Sequence, residues 1–525
     1  MPRTVRLTRR ELAFAATIAG AHALVPPAFA RIIEPRGQEG PGRFLDGVAS
    51  GEPSHDAVTF WSRLSTDRPV SGARLVVAED EQLTRTVATA VVPTSRSVDG
   101  ALKTRIGGLA PGRHYWYVWQ SADDVSPVGR TKTAPHPTSD DPVTVGFSSC
   151  QNYPVGFFNA HRDAAATDLD LYAFLGDYTY EYDSTADADI PSRGEIASVD
   201  LRTYRSKLRL YRQDPDLREL HRLHPVVHIW DDHEVADNYS DNDPRPSDQQ
   251  RSAGYRASFE WLPRMATAQE RFRIYKPIRL GRTAELFLLD QRQYRTGDGD
   301  GQPKSILGRT QMEWFKRSLA QTDARWKLVG NQAMYTPLGV GSSDRLVFNT
   351  DQWDGYPAER EEVDAVIREL ENVAFLTGDI HLFIAADRRP NLAPSIATEY
   401  VGGSVTSSGV PAELNGVASA AILAVNPHLR YFDGAQHGWS IARVGTDEMR
   451  VDYRASDITQ AGAPCTTIAS FRQPSGANRV ERLSGKEPGS TPLGQPIPAA
   501  PGSDLAARRA TFARAVARDV ARRAK

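Results

Sequence analysis

Residues 174–182 read FLGDYTYEY, in which an apolar run ends abruptly in a polar cluster. Three further stretches have the same form: VGFSSC at 145–150, VVHIWDDHEVADN at 226–238 and VAFLTGDIH at 373–381. Each apolar run is short enough for a buried strand, and ligands of open α/β sheets gather outside the carboxyl ends of strands. We therefore expect the four polar clusters to converge on one site, as the side chains of a multi-metal centre do.

Beyond residue 143, apolar runs alternate with helical patterns, and this alternation predicts a layered α/β domain at 143–475. The predicted strands are 143–149, 171–175, 226–230, 284–290, 326–330 and 373–377. The predicted helices are 200–223, 311–321 and 359–371. A loop-rich segment with a basic helix at 503–525 is expected to complete the chain over 476–525.

Residues 44–135 carry short β-rich runs between turns, such as VTFWSRL and HYWYVWQSA, which predict a small antiparallel β-sandwich of the fibronectin or Ig-like type. The string LAPGRHY at 109–115 resembles the turn before a late strand of fibronectin-type domains, where a Tyr hydroxyl bonds to the preceding backbone. This segment has no catalytic cluster, so we predict a structural role. Polar linkers are expected at 31–43 and 133–142.

Charge and hydropathy exclude two classes of protein. The net charge is −2, so no basic field indicates nucleic acid, and the body of the chain has no apolar run of about 18 residues that would span a membrane. Residues 1–30 differ, because four arginines precede an apolar stretch and AFA at 28–30 fits a cleavage site. The paired arginines at 9–10 resemble a twin-arginine signal. We expect a periplasmic or secreted protein that uses the twin-arginine machinery; an uncleaved amphipathic N terminus is the alternative.

The two cysteines, Cys150 and Cys465, leave two interpretations open. In an oxidising compartment a pair of cysteines first suggests one disulfide. The alternative is that Cys150 is a metal thiolate and Cys465 an unrelated thiol. Cys150 follows the apolar run TVGFSS in the same way as the other polar clusters follow theirs, and this position favours the metal interpretation.

Two of the clusters carry oxygen ligands suited to hard cations. Asp177 follows FLG directly, and a carboxylate there can bridge two ions through its two oxygens. In the next cluster, Asp232 can bind a metal, His233 can act as a general acid or oxyanion stabiliser, and Asn238 offers an amide oxygen. A Gly-Asp turn or an acidic first helical turn explains each cluster singly. Four polar residues directly after a buried strand are costly unless they are used, which favours a site.

The clusters GDIH and SSC have a spacing that places alternate residues on one side of an extended backbone. Asp379 and His381 can therefore reach one site, although a capped turn and a core histidine explain either residue alone. Cys150 contributes a thiolate, which prefers a softer or redox metal than carboxylates do. A mixed centre follows, with iron near the thiolate and calcium or a similar ion among the oxygens. Tyr180 can add a phenolate to ferric iron.

The ordered set of clusters resembles the dinuclear metallophosphatases, whose general pattern is Asp-x-His, Gly-Asp, Gly-Asn-His-Asp/Glu, Gly-His and Gly-His-x-His. Here SSC, GDY, DDHE, GNQ at 330–332 and GDIH stand at the corresponding strand ends. This variant is similar to the PhoD-type alkaline phosphatases over roughly residues 44–475, in strings such as WDDHEVADNY, LDQRQYR and DQWDGYPAER. The resemblance implies a metallophosphatase-type layered β-sandwich flanked by helices, preceded by the small sandwich.

The resemblance also implies one Fe³⁺ and two Ca²⁺ ions in an exported alkaline phosphatase. Its motifs carry over to the candidate metal ligands Cys150, Asp177, Tyr180, Asp232, Asn238, Asp354, Asp379 and His381. Cys150 and Tyr180 would bind iron, and Asp177 would bridge iron and calcium. Asn238 and Asp379 would bind calcium.

Further residues are assigned to the substrate. His233 falls where metallophosphatases keep a catalytic histidine. Arg292 and Arg295 are predicted to hold phosphate through charge-assisted hydrogen bonds, with salt bridges as the alternative. The remaining histidines that lie near the clusters are interpreted as structural: His221, His224, His228 and His437.

Three functional hypotheses follow. The favoured one is a phosphate monoester hydrolase in which metal-activated water or hydroxide attacks phosphorus. The second is a phosphodiesterase or phospholipase D-like hydrolase with the same fold. The third is a non-catalytic secreted binding protein with a Cys150–Cys465 disulfide. We expect a monomer whose partner is a phosphate ester; the sequence does not determine the natural substrate or the exact ion set.

Overall fold

The computed structural model describes residues 42–66, 72–185, 189–240, 245–266, 272–297, 304–342 and 344–483. The predicted signal segment 1–30, most of the linker 31–43 and the predicted basic helix 503–525 lie outside these residues. Within them, no helix combines the length with the apolar character that a bilayer crossing requires.

The described residues form a mixed α/β structure. The strands are β1 (Val48–Gly51), β2 (Ala57–Arg63), β3 (Gly72–Ala78), β4 (Thr86–Pro93), β5 (Ala101–Gly107), β6 (His114–Gln120), β7 (Gly129–Lys132), β8 (Val143–Ser148), β9 (Leu171–Leu175), β10 (Pro225–Ile229), β11 (Lys276–Leu280), β12 (Ala284–Leu288), β13 (Trp326–Asn331), β14 (Gly339–Ser342), β15 (Arg345–Phe348), β16 (Val373–Thr377), β17 (Phe383–Arg388), β18 (Ala397–Gly402), β19 (Leu429–Asp433), β20 (His437–Val444), β21 (Glu448–Ser456), β22 (Thr466–Pro474) and β23 (Glu481–Arg482). The helices are α1 (Asn159–Ala165), α2 (Leu201–Tyr211), α3 (Pro215–Leu223), α4 (Asp248–Trp261), α5 (Gly308–Gln321), α6 (Pro357–Ile367) and α7 (Ala412–Val425).

Two large sheets pack face to face, and helices cover their outer faces. The larger sheet has the order β23-β22-β21-β20-β8-β9-β10-β1-β2-β5, and the smaller has the order β11-β12-β13-β16-β18-β17-β19. In β9, Leu171, Ala173 and Leu175 belong to the core between the sheets. Tyr172 and Phe174 instead contact the layer formed by α1 to α4. Burial on both faces explains why the strand reads as a continuous apolar run, and the predicted layered α/β fold is confirmed.

The six strands predicted beyond residue 143 are confirmed as β8, β9, β10, β12, β13 and β16, with ends within two residues of the prediction. β8, β9 and β10 are parallel neighbours in the larger sheet. β12, β13 and β16 are parallel neighbours in the smaller sheet. Parallel neighbours place their carboxyl ends at one edge, which is where the polar clusters begin.

The helix predicted over 200–223 is wrong in one respect, because the structure has two helices there. Asp200 forms a capping box with Thr203 at the start of α2. Asp214 then caps α3, whose first residue is Pro215. A proline lacks the amide hydrogen that a continuous helix needs and clashes with the preceding turn, so the chain breaks before it.

The N-terminal segment forms the predicted β-sandwich. A four-stranded sheet, β4-β3-β6-β7, shares a buried core with β1, β2 and β5. The amide of Ala110 donates to the Tyr115 hydroxyl at 2.7 Å, which confirms the turn predicted from residues 109–115. β1 also pairs in parallel with β10, so one sandwich sheet continues the larger sheet of the following domain. The sequence does not predict this continuity, because it depends on a pairing between distant strands.

Candidate metal centre

The structure brings the polar clusters after β8, β9 and β16 together at one place. Ligand atoms of Cys150, Asp177 and His381 lie within 4.8 Å of one another. The loops that carry the first two are joined by backbone hydrogen bonds from Cys150 to Gly176 (3.2 Å) and from Gln151 to Asp177 (3.1 Å). This group contains one thiol, one carboxyl and one imidazole, a mixed set suited to a transition metal.

A second group adds the cluster after β10. Ligand atoms of Asp177, Asp232 and His233 also lie within 4.8 Å of one another. Asp177 therefore belongs to both groups. A carboxylate shared in this way has the arrangement of a bridge between two cations, because each oxygen can serve a different ion.

Tyr180 and His381 complete the first group. The Tyr180 hydroxyl lies 3.0 Å from Asp177 Oδ2, 2.6 Å from Ser407 Oγ and 3.4 Å from His381 Nε2. His381 Nδ1 lies 2.8 Å from the carbonyl oxygen of Ser408. Because a carbonyl accepts only, Nδ1 carries the hydrogen and Nε2 presents its lone pair to the cluster, as in metal-binding histidines.

Asp379 and Asn238 lie at the edges of the two groups. Cys150 Sγ lies 3.6 Å from the Asp379 carbonyl, and the Asp379 carboxylate accepts a 2.9 Å hydrogen bond from Gln352 Nε2. The backbone amide of Asn238 donates a hydrogen bond to Asp232 Oδ2 at 2.6 Å. Asp379 therefore lies beside the first group. Asn238 is exposed, and its Nδ2 donates to Asp237 Oδ1 at 3.1 Å.

Five of the candidate ligands have a left-handed backbone conformation, with φ between 50° and 67°. They are Cys150, Asp177, Asn238, Asp379 and His381. This conformation is uncommon for residues other than glycine, and such strain is found mainly at functional sites where the surroundings enforce it. Cys150, Asp177 and Asp379 have this conformation two residues after the ends of β8, β9 and β16, which indicates a functional role for these three loops.

The donor set fits bound cations. Asp177 Oδ1 and Asp232 Oδ1 are buried, and neither has a hydrogen-bond partner among the described residues. Burial raises the pKa of the Cys150 thiol well above its ordinary value, and the Asp177 carboxyl adds to the shift. Burial and nearby carboxyls also raise the pKa of Asp379. Negative groups crowded in a dry site are stabilised when cations bind among them.

His233 stands beside the Asp177–Asp232 pair. Its Nδ1 lies 2.9 Å from Glu181 Oε2. Burial opposes protonation of the ring, but Asp177, Asp232 and Glu181 together raise the pKa of His233 to about 11. The ring of His233 therefore lies among three carboxyl groups, with Nδ1 directed to Glu181.

Glu234 ties two ligand loops together. Its carboxylate accepts hydrogen bonds from the amides of Tyr178 (2.7 Å) and Asp177 (3.3 Å) in the loop after β9. It also accepts one from the amide of Asp231 (2.9 Å) in its own loop. These bonds position Asp177, so Glu234 supports the ligands without occupying a ligand position.

The structure places Arg292 and Arg295 differently from the prediction that they hold phosphate. Arg292 is fully buried and donates to Asp231 Oδ1 (2.5 Å) and to both oxygens of Asp351 (3.1 and 2.8 Å). Arg295 is also buried and pairs with Asp351 at 2.5 Å. Both guanidinium groups therefore bind carboxylates, which is the alternative that the sequence left open, and Arg295 Nη2 is buried without a hydrogen-bond partner among the described residues.

Arg292→Met is expected to lower the free energy of unfolding by about 3–5 kcal/mol, because Asp231 and Asp351 lose their buried partner. Denaturant titration measures this change. A residue that only held phosphate would raise KM and leave stability unchanged. Arg282→Met is the matched control, since Arg282 and Asp140 form a half-exposed ion pair and little change is expected. An Arg292→Met protein as stable as the control would contradict this role.

Asp354, predicted as a metal ligand, is also placed elsewhere. Its Oδ1 pairs with Arg360 at 2.5 Å, and its Oδ2 accepts the amide of Leu338 at 3.1 Å. Asp351, three residues earlier, is the residue of this loop that reaches the network at the site. The loop path between β15 and α6 decides which of the two carboxylates faces inward.

The four histidines interpreted as structural lie in packed or bonded positions. His221 and His228 stack on Phe174 at 5.3 and 4.7 Å. His224 Nε2 lies 3.2 Å from the Ala165 carbonyl, and His437 Nδ1 lies 3.1 Å from Ser404 Oγ. None of the four belongs to the metal-capable groups found among the described residues.

Sequence reasoning missed several residues that support the centre: Glu181, Glu234, Asp351, Gln352 and Ser407. Glu181 and Glu234 stand inside the quoted clusters, so their position was a usable signal. Asp351 and Gln352 open the string DQWDGYPAER, which points to the correct loop but to no particular residue. Ser407 has no signal in the sequence, because its role depends on packing against Cys150 and Tyr180.

Both cysteines are free thiols. Cys150 is fully buried in the first group, and Cys465 lies near Asn159, where its Sγ is 3.9 Å from the carbonyl. This arrangement contradicts the hypothesis of a binding protein with a Cys150–Cys465 disulfide.

The model of the PhoD-like phosphatase family matches residues 145–453, and the model of the PhoD-like phosphatase N-terminal domain matches 31–135. Alkaline phosphatase D of Bacillus subtilis (strain 168) is 32% identical over 470 residues, which cover 82% of this chain and 80% of the relative. The solved structure of PhoD has a TM-score of 0.78 at 29% identity and covers 93% of this chain and 100% of its own. Purple acid phosphatase PPD1 from yellow lupin (Lupinus luteus) seeds has a TM-score of 0.54 at 12% identity over 80% of this chain and 74% of its own, so it shares the fold.

Proposed function

We propose that this chain hydrolyses phosphate esters at a centre of several metal ions. It belongs to the PhoD-like phosphatase family and is a hydrolase of the alkaline phosphatase type. The observation that carries the proposal is that Asp177 belongs to both metal-capable groups. The metallophosphatase-type fold itself implies metal ions.

The donor types support iron on one side and calcium on the other. Cys150, Tyr180 and His381 supply a thiolate, a phenolate and an imidazole, which suit Fe³⁺. Asp232, Asn238 and Asp379 supply oxygens, which suit two Ca²⁺ ions. When bound, the ions supply Lewis-acid activation of a water molecule for in-line attack on phosphorus.

The side chains of the centre have separate tasks. His233 places positive charge beside the ions and offers a hydrogen bond to a phosphoryl oxygen that gains charge in the transition state. Glu181 orients the ring through Nδ1 and, after Asp177 and Asp232, contributes to the raised pKa of His233. Glu234 and Arg292 hold the loops that aim Asp177 and Asp232. Burial raises the pKa values of Cys150 and Tyr180, and both side chains would bind metal in their deprotonated forms.

Metal removal tests the proposal directly. Protein purified without chelator is expected to contain bound metal by elemental analysis and to hydrolyse p-nitrophenyl phosphate or bis(p-nitrophenyl) phosphate. Chelation is expected to abolish release of p-nitrophenolate, and Fe³⁺ with Ca²⁺ to restore it. Protein shown to be free of metal that still turns over at the original rate would contradict the proposal.

A second candidate, a phosphodiesterase or phospholipase D-like hydrolase, is supported by the partners of Arg292. This guanidinium donates to Asp231 and Asp351, so it is not available to pair with the second negative charge of a monoester. The ratio of kcat/KM for the two p-nitrophenyl substrates in the same assay separates the candidates.

Export through the twin-arginine pathway to the periplasm or medium remains a proposal that rests on residues 1–30. Cell fractionation of a variant with lysines at positions 9 and 10 tests it, because the pathway requires paired arginines.

A further inference from the structure

Lys207 and Glu195 form a buried ion pair next to the loop after β9, and neither side chain has a task in the reaction described above. Lys207 lies on α2, and its Nζ is 3.1 Å from Glu195 Oε1; the exposed fractions of the two side chains are 2% and 1%. The same Nζ donates a 2.8 Å hydrogen bond to the Tyr182 carbonyl. The pair is therefore attached to the loop that carries the candidate ligands Asp177 and Tyr180.

A second hydrogen bond, from the segment before α2, holds the neighbouring carbonyl of this loop. The backbone amide of Ser198 donates to the Glu181 carbonyl at 2.8 Å, directly before the carbonyl that Lys207 binds. The Glu181 side chain in turn binds His233 Nδ1 at 2.9 Å. Because two successive carbonyls are bound, the backbone around Glu181 is fixed, and with it the ring of Tyr180 and the partner of His233.

Tyr211, one helical turn after Lys207 on α2, extends the contacts of the pair to the loop after β8. Its hydroxyl accepts a hydrogen bond from the amide of Tyr153 at 3.1 Å. It also interacts with the Glu195 carboxyl and with the backbone of Tyr180. Two buried side chains of α2 therefore hold the loops after β8 and β9, and Glu195 interacts with both of them.

Burial makes this ion pair sensitive to pH. It raises the pKa of the Glu195 carboxyl to about 7, although Lys207 favours the charged form. Burial also lowers the pKa of the Lys207 ammonium. As the pH falls through about 7, the carboxyl takes up a proton and the ammonium loses its nearest counterion in a dry site, where an unpaired charge is costly. The other titratable groups that face the pair are Glu181 and Asp183 of the loop after β9, Tyr153 of the loop after β8, and Tyr211 of α2.

We propose that the Glu195–Lys207 ion pair positions the loop after β9 for metal binding and catalysis. When the pair is ionised, its ammonium fixes the carbonyl of residue 182 and thereby places the side chains of Tyr180 and Glu181. Protonation of the carboxyl loosens this attachment, so the pair couples the geometry of the centre to pH. The inference rests on the proposed function, because the ligands that the pair positions belong to the proposed centre.

The experiment compares kcat of the metal-loaded wild type and Glu195→Gln on bis(p-nitrophenyl) phosphate at two pH values. Glutamine has the shape of the protonated carboxyl and cannot carry its charge. At about pH 5.5 similar kcat values are expected, because the wild-type carboxyl is also neutral there. At about pH 8.5 the wild type is expected to be about tenfold faster, the scale of losing an outer partner of a metal ligand. Titrations of the metal centre itself occur in both proteins and cancel from the ratio.

Absorption spectroscopy gives a readout other than turnover. A phenolate bound to Fe³⁺ produces charge-transfer absorption that depends on how the ring meets the ion. At about pH 8.5 and equal metal content, the band of Glu195→Gln is expected to be weaker than that of the wild type or shifted, because Tyr180 is held less firmly. At about pH 5.5 the two spectra are expected to coincide.

Further variants assign the effect to the pair. Lys207→Met is expected to lower kcat at about pH 8.5 as much as Glu195→Gln does, and the double variant is expected to lose no more, because each change removes the same interaction. The double variant buries no charge, so it tests the inference if a single variant fails to fold. Glu260→Gln is the matched control. Glu260 is a buried carboxylate of α4 that pairs with Arg205, also on α2, and its ratio to the wild type is expected to be the same at both pH values.

A ratio of wild type to Glu195→Gln that is the same at both pH values overturns the inference, whatever its size, and leaves the proposed function intact. Equal kcat values for the wild type and the double variant at the higher pH do the same. Failure of the metal-loaded wild type to hydrolyse either p-nitrophenyl ester overturns the proposed function and the inference with it.

Discussion

Replacement of Asp177 by alanine is expected to abolish hydrolysis, because one carboxylate serves both metal-capable groups. Loss of an outer partner of a metal ligand costs about 10–100-fold, so loss of a shared ligand is expected to exceed about 10³-fold in kcat/KM. Turnover of p-nitrophenyl phosphate and its bis-ester measures the loss, and elemental analysis is expected to show less bound metal.

Asp168→Ala is the matched control. Asp168 lies before β9, at the opposite end from Asp177, and pairs with Arg130 at 3.4 Å. Metal content and turnover of this variant are expected to equal those of the wild type. Full activity of Asp177→Ala would refute the shared site, and with it the assignment of the centre.

Thermal unfolding of metal-free protein separates loss of metal from loss of fold. Burial raises the pKa of Asp177 well above its ordinary value, so its charged form is destabilised by folding. Removal of the carboxyl should therefore leave the metal-free protein as stable as the metal-free wild type, or more stable. A lower Tm for the metal-free variant would mean that Asp177 has a structural role.

The second large effect is expected from Cys150→Ala, with Cys465→Ala as a control of the same chemistry. Cys150 lies in the first metal-capable group, whereas Cys465 lies beside Asn159 and belongs to neither group. We expect Cys150→Ala to lose the metal of the first group and about 10²–10³-fold in kcat, the scale of losing a major electrostatic element of a site. Cys465→Ala should retain the metal of the first group and the wild-type kcat.

Absorption spectroscopy gives a readout that does not depend on turnover. A thiolate or phenolate bound to Fe³⁺ produces charge-transfer absorption, so the wild type and Cys465→Ala should be coloured alike and Cys150→Ala should lose intensity. Retention of the full metal content and colour by Cys150→Ala would exclude the thiolate as a ligand.

The strands and the polar clusters could be predicted because their signals are local. An apolar run followed by Asp or Cys identifies both a buried strand and the end of that strand, as β9 with Asp177 and β16 with Asp379 demonstrate. The break in the helix predicted over 200–223 also has a local signal, which is Pro215. The helical period of the apolar residues continues across Pro215 and led to the prediction of one helix.

The partners of charged side chains could not be predicted. Arg292 and Arg295 resemble phosphate ligands in sequence, yet Asp231 and Asp351, which bind them, lie far away along the chain. Asp354 and Asp351 share one short string, but a turn of the loop directs only Asp351 toward the site. A guanidinium binds whichever carboxylate is nearest in space, and sequence separation carries no information on that distance.

Hydropathy and side-chain chemistry at neighbouring positions are enough to predict the fold class, the strand ends and the five residues of the two metal-capable groups, because these signals are local. Only the tertiary structure shows that Cys150 lies beside His381 and not beside Cys465, and that Asp177 belongs to both metal-capable groups. It also shows that Arg292 and Arg295 form buried ion pairs. These facts depend on how two sheets face each other, which brings together loops separated by more than two hundred residues. Burial and long-range contacts set the partner and charge state of each polar group, and folding is what creates them.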